Sequence, residues 1–180
     1  MQSLGTLGGL ESEAYGISSN GLVTGGSHVT DIFIYNAFLH QGGVMLDLGR
    51  LGGTSAQGYA VNASGWVVGY SDLSVAGPAG LEFAPFLYRD GAMSNLNDWV
   101  DLPSDWFVLD AIDINDKGQI AATGCNFSLY TCHAMLLSPL AEPAAGVPLP
   151  ATTPLVLAGL GLLAAAGTFG RRARPVGAAA

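Results

Sequence analysis

The sequence predicts an all-β fold: an array of three four-stranded repeats of about 44 residues, propeller-like blades of an incomplete propeller, followed by one C-terminal hydrophobic helix. Three observations predict it. Segments recur at a fixed spacing, glycine recurs at the matching turn positions, and no stretch before residue 150 sustains a hydrophobic period of 3.6.

The repeat is explicit in the first two copies. Leu4-Gly5-Thr6-Leu7-Gly8-Gly9 returns as Leu48-Gly49-Arg50-Leu51-Gly52-Gly53, and the run from Ala14 to Ser27 returns from Gly58 to Ser71. Gly5 and Gly49, Gly21 and Gly65, and Gly25 and Gly69 are each 44 residues apart. A fixed period of this length marks a supersecondary unit that must stack on its copies to bury its apolar face. A third, eroded copy runs from Ala111 to Ala121, and its His133-Ala134-Met135-Leu136 stands where Asn36-Ala37-Phe38-Leu39 stood.

Within a unit the first strand alternates Tyr15 and Ile17 with Ala14, Gly16 and Ser18. The second begins at Val23 after a turn, the third is the apolar run Ile32 to Leu39, and the fourth is Met45 to Leu48 after Gly42-Gly43. Asn20-Gly21, Ser64-Gly65 and Lys117-Gly118 place glycine where a tight hairpin needs a positive φ. Ser3 to Leu7 reads as an orphan fourth strand that could complete the last unit. Propellers close with about four to eight blades, so three leave three options: further copies upstream, a three-sheet prism, or pairing between chains. The first is the expectation, because Met1-Gln2-Ser3-Leu4-Gly5 opens inside a repeat and lacks the basic and apolar regions of an export signal.

Charge divides the chain. All 14 acidic residues precede Pro143 and face only Arg50, Arg89 and Lys117 there, a net charge of −11 that excludes nucleic-acid binding. Residues 1–138 form the β repeat domain and 139–153 a Pro/Ala linker. Residues 154–170 are an apolar transmembrane helix and 171–180 a basic cytoplasmic tail with Arg171, Arg172 and Arg174. Thr153 suits an N-cap and Pro154 the first helical turn. Its apolar stretch, the sixteen residues from Pro154 to Phe169, rises roughly 24 Å, short of a hydrocarbon core of about 30 Å. Arginines beyond the helix put that end inside and the repeats outside.

The motif Val147-Pro148-Leu149-Pro150-Ala151, the short apolar helix and the arginine cluster together resemble the C-terminal sorting signal of the PEP-CTERM class, in its Val-Pro-Leu-Pro-Ala variant. The resemblance implies export from a Gram-negative bacterium, transient anchoring in the inner membrane, recognition by an exosortase and removal of the helix. The Leu-Gly-x-Leu-Gly-Gly and Asn-x-x-Gly-x-Val-Val-Gly elements resemble the HAF family of extracellular repeats, named for a His-Ala-Phe triplet. The triplets here are Asn36-Ala37-Phe38, Ala84-Pro85-Phe86 and His133-Ala134-Met135. That family lends no activity.

Candidates for chemistry are few. Cys125 and Cys132 flank a short loop whose neck would bring them to disulfide distance in an oxidising compartment; two free buried thiols are the alternative. Asp110, Asp113, Asn115, Asp116 and Gly118 have the look of a calcium loop, but Lys117 and Cys125 stand where oxygen ligands belong, so turn chemistry is the reading and neither metal nor cofactor is expected. The insertion from Asp98 to Trp106 has no counterpart in the other units. Its Trp99, Asp101, Asp105 and Trp106 make it a candidate ligand-binding loop suited to stacking on a sugar of an extracellular polysaccharide, though simple packing onto the array competes with that role.

The expected function is an exported, surface-sorted repeat protein, not an enzyme, with a structural or binding role in the cell envelope or extracellular matrix. The alternative is an exported carbohydrate-active propeller enzyme whose catalytic residues lie upstream.

Overall fold

A computed structural model describes residues 1–31, 33–77, 80–103, 105–139 and 167–169. The described chain is all-β, and a short 3-10 turn at Leu96–Asp98 follows the eighth strand. The first unit is an antiparallel meander of β1 (Ser12–Ile17), β2 (Val23–His28), β3 (Tyr35–Gln41) and β4 (Val44–Gly49). The second repeats it with β5 (Gly52–Val61), β6 (Val67–Leu73), β7 (Phe83–Arg89) and β8 (Ala92–Asn95). In the third, β9 (Trp106–Ile114), β10 (Ile120–Asn126) and β11 (Thr131–Pro139) pair antiparallel, and β12 (Gly167–Phe169) lies parallel to β11 in the fourth place.

The strands form two sheets. The parallel pair Tyr35↔Ser55 joins the first two units into one eight-stranded sheet, and the third unit is a four-stranded sheet. Neither closes into a barrel or a propeller among the described residues. Register repeats faithfully: Gly25↔Phe38, Gly69↔Phe86 and Ala122↔Met135 are equivalent pairs.

Because side chains alternate across a strand, neighbouring residues of the middle unit serve opposite cores. Phe86 and Val67 pack with Leu22, Leu39 and Val61 toward the first unit. Leu87 and Val68 pack with Val108, Ile114, Ile120 and Leu137 toward the third. The middle unit is thus buried on both faces, and each such side chain stabilises by about 1.5–3 kcal/mol. The units can approach closely because Gly58 has no side chain: a Cβ there would lie 2.2 Å from Thr24 Oγ1.

The turn glycines behave as the sequence predicts. Gly21, Gly65 and Gly118 have φ of 84°, 79° and 72°, and each amide donates back to the carbonyl three residues earlier, on Ser18, Asn62 and Asn115.

Other expectations need correction. Ser3–Leu7 is not a strand; Gly5 and Gly8 adopt φ of 84° and 109°, and the segment meets β2 through side-chain bonding instead. The third strand begins at Tyr35 and not at Ile32, because Asp31 starts a turn in which its side chain accepts from Phe33 N and its carbonyl from Ile34 N. Of the expected helix 154–170, only Gly167–Phe169 are described, and they form β12. No helix among the described residues is long and apolar enough to cross a membrane.

Candidate functional site

Three places gather polar or aromatic chemistry: a hub of hairpin turns, a cleft beside the insertion, and the cysteine hairpin.

The hub is where the β1–β2, β5–β6 and β9–β10 turns meet. In each turn a side-chain oxygen replaces missing backbone partners, as Asx and Ser turns do. Asn62 Oδ1 accepts from Ser64 N and Trp66 N, and Asn115 Oδ1 accepts from Lys117 N and Gln119 N, all at 3.0 Å. Ser18 Oγ accepts from Leu22 N at 2.9 Å. Bonds then run between units. Asn20 Nδ2 donates to Ala63 O, Asn62 Nδ2 donates to Asn115 O, and Asp116 accepts from Ala63 N at 2.8 Å and from Ser19 Oγ at 3.2 Å. Beside the hub, β1, β5 and β9 line an open groove of about 520 Å³ that includes Tyr15, Tyr59, Asp113 and Asp116.

The calcium-like residues are occupied by this architecture. Asp110 Oδ1 accepts from Thr123 N, Asp113 Oδ1 from Ile114 N, and Asn115 and Asp116 serve the hub. Among the described residues no group of three or more His, Cys, Asp or Glu side chains could hold a metal.

The cleft lies between the insertion and the cysteine hairpin. It has a volume of about 610 Å³ and is lined by Asn97, Val100, Leu102, Asp105, Trp106, Phe107, Phe127 and Ser128. Asn97 fixes its floor with paired bonds, donating to Val108 O at 3.0 Å and accepting from Val108 N at 2.7 Å. Phe107 and Phe127 pack at 4.6 Å between ring centroids, and Trp106 packs on His133 at 5.0 Å. Asp105 stands at φ 73°, a conformation that costs a residue with a Cβ about 1–3 kcal/mol and that turns the chain into β9.

The two tryptophans of the insertion do not converge. Trp99 donates to Ser94 Oγ at 2.8 Å and lies under the Arg89 guanidinium, 4.5 Å from its centroid, so it packs on the second unit. Trp106 alone reaches the cleft, with Asp105 beside it. Sequence reasoning missed Asn97, Phe107 and Phe127. Asn97 sits in the 3-10 turn, Phe107 in β9 and Phe127 in the loop after β10, and the pairing of β9 with β10 brings the two phenylalanines together.

Cys125 and Cys132 are disulfide-bonded, with Cα atoms 4.1 Å apart, and they are directly opposed in the β10–β11 ladder. This is closer than the 4.4–6.8 Å usual for disulfides, because the two residues form a narrow antiparallel pair. The bond closes the hairpin that carries Phe127 and Ser128 into the cleft wall.

The sorting residues Val147 to Ala151 and the basic residues Arg171, Arg172 and Arg174 lie outside the described residues. No protein-family model, no curated protein and no solved structure matches this chain.

Proposed function

We propose that the chain is an exported, surface-sorted repeat protein with a binding role in the cell envelope or extracellular matrix, and that it binds a neutral polysaccharide rather than turning one over. Its three stacked units are read as blades of an incomplete propeller. The observation that carries the binding role is the cleft at the insertion with no counterpart in the other units, where Trp106, Phe107 and Phe127 stand beside Asp105. Aromatic faces suit the apolar face of a pyranose, and a carboxylate accepts from its hydroxyls. The excess of 14 acidic over 6 basic residues disfavours anionic glycans.

Binding to neutral and uronate-rich polysaccharides, followed by the intrinsic fluorescence of the purified chain, tests this. Neutral polymers should bind, and Trp106→Ala should weaken them roughly tenfold or more. Equal binding by wild type and Trp106→Ala would refute the assignment.

Export rests on the tail. The Val147–Ala151 motif, the apolar segment and the three arginines are read as an address recognised by an exosortase after transient insertion in the inner membrane. Mass spectrometry of surface material from the native host should find a C-terminus near residues 147 to 152; intact Arg171 to Arg174 there would exclude processing.

A further inference from the structure

The three hub turns share a backbone shape but not a chemistry. Where the second and third units carry Ser64-Gly65 and Lys117-Gly118, the first carries Asn20-Gly21, in which a side-chain amide is followed by a residue without a side chain. A backbone nitrogen can then reach the neighbouring amide carbon, because glycine has no Cβ to obstruct the approach. Asn20 and Gly21 are both exposed, and a Cβ built on Gly21 would meet nothing within 4 Å. The Ser18 hydroxyl donates to Asn20 Oδ1 at 2.6 Å, which draws electron density from the amide carbon and stabilises negative charge developing on that oxygen. The other two hub asparagines are placed differently. Asn62 and Asn115 precede Ala63 and Asp116, whose side chains crowd the approach, and each Oδ1 is fixed by two backbone N–H donors.

We propose that Asn20 is a site of spontaneous deamidation, and that the reaction unfastens the turn of the first unit from that of the second. The Gly21 N–H is held by Ser18 O at 3.1 Å and is freed when this exposed turn opens locally. Its nitrogen gives up a proton to hydroxide and bonds to Asn20 Cγ, the Cγ–Nδ2 bond breaks, and Nδ2 leaves as ammonia with a proton from water. A second water opens the cyclic imide and leaves aspartate or isoaspartate. One water is consumed and one ammonia released, with no change of oxidation state. The consequence lies in the hub. Asn20 Nδ2 donates to Ala63 O at 2.9 Å, and a carboxylate has no proton to give there. The new charge would also stand near the Asp116 carboxylate, which accepts from Ala63 N at 2.8 Å, and like charges repel. Contact between the two turns is therefore lost, and the change is one-way.

Incubation of the full chain in mildly alkaline buffer, followed by chymotryptic mapping and mass spectrometry, tests the proposal. The fragment Gly16–Leu22 should gain the mass of one amide-to-acid conversion, while fragments carrying Asn62 and Asn115 keep theirs. Asp90-Gly91 can close the same ring but already carries an acid, so a mass gain does not report on it. Asn20→Gln should abolish the conversion over the same period. The converted chain and freshly made Asn20→Asp should both melt below unconverted wild type, since each lacks the donor to Ala63 O. A fragment that keeps its mass while the free peptide of residues 16–22 converts would show that the folded turn protects Asn20, and would overturn the site. Conversion first at Asn62 or Asn115 would overturn the choice of residue. A converted chain that melts together with wild type would overturn the unfastening of the hub.

Discussion

The first two units and the third fasten themselves by different means. In the first, Ser27 Oγ accepts from Leu7 N at 2.9 Å and lies 3.3 and 3.1 Å from the carbonyls of Glu11 and His28. In the second, Ser71 repeats the arrangement with Leu51 N at 2.8 Å and the carbonyls of Ser55 and Asp72. Each hydroxyl anchors the Leu-Gly-x-Leu-Gly-Gly segment to the second strand of the unit. The third unit has Gly124 at that position, no such segment before β9, and a disulfide at the next residue. Serine and segment are two halves of one device, and they vanish together. A repeat signature can therefore fade without loss of fold where a covalent bond holds the strands.

The largest contrast should appear in the cores. Phe86 is fully buried between the first two units, while Met135 holds the equivalent place in the third and is only partly buried. Phe86→Ala should destabilise by about 3–5 kcal/mol and Met135→Ala by clearly less, read from urea midpoints at constant slope. Equal losses would mean that the third unit is packed as tightly as the second.

The serine anchor comes next. Ser71→Ala leaves Leu51 N without its acceptor and should cost about 1–3 kcal/mol. Ser27→Ala should match it, since the geometry is the same. Gly124→Ser should not stabilise the third unit. A Cβ there would lie 2.2 Å from Met135 Cε, and no equivalent amide waits to be bound. A gain in stability from that change would break the pairing of serine with segment.

These contrasts also explain how much could be read from the chain alone. The three units, the positive-φ turns at Gly21, Gly65 and Gly118, and the order of the four strands in each of the first two units follow from local chemistry and spacing, which a single sequence displays. The error at Ser3–Leu7 has a physical cause. The same motif in the second copy straddles the end of β4 and the start of β5, so likeness to Leu48–Gly53 suggested a strand where only a bolted loop exists. Asp116 in the hub and Phe127 in the cleft were illegible for another reason. Asp116 acts through a contact between units and Phe127 through the pairing of β9 with β10, and spacing within one unit encodes neither. The same holds for the tryptophans of the insertion, which look paired in sequence and pack on different units.

The disulfide should contribute less than the serine anchor's upper range. It closes a loop with a sequence separation of only 7, for which chain entropy gives about 2 kcal/mol at best. Cys125→Ser with Cys132→Ser should lower stability by no more than that. Because the hairpin carries Phe127, the same double variant should weaken polysaccharide binding at the cleft while leaving the first two units unaffected. Thiol titration of the unfolded, exported chain should detect no free sulfhydryl, and two free thiols would show that the third unit is held by packing alone.

The smallest effect separates the units by titration. Tyr15, Tyr59 and Ile112 occupy one repeat position, so only the first two units carry a phenol there. The Tyr15 hydroxyl donates to Glu13 Oε2, and that bond, with burial and the charge of Glu13 added, pushes its pKa up to about 12. Burial first, then Tyr70 and Asp110, pushes Tyr59 up as well. A raised phenol pKa means that the folded chain holds its proton longer than the unfolded one. The associated stability is complete below the unfolded value near 10 and is lost as pH rises through about 12. Rapid-mixing titration of phenolate absorbance should show a late step that Tyr15→Phe removes and that Glu13→Gln shifts back toward 10. A late step that survives Tyr15→Phe would assign it to another phenol and would deny that the Glu13 contact distinguishes the first unit from the rest.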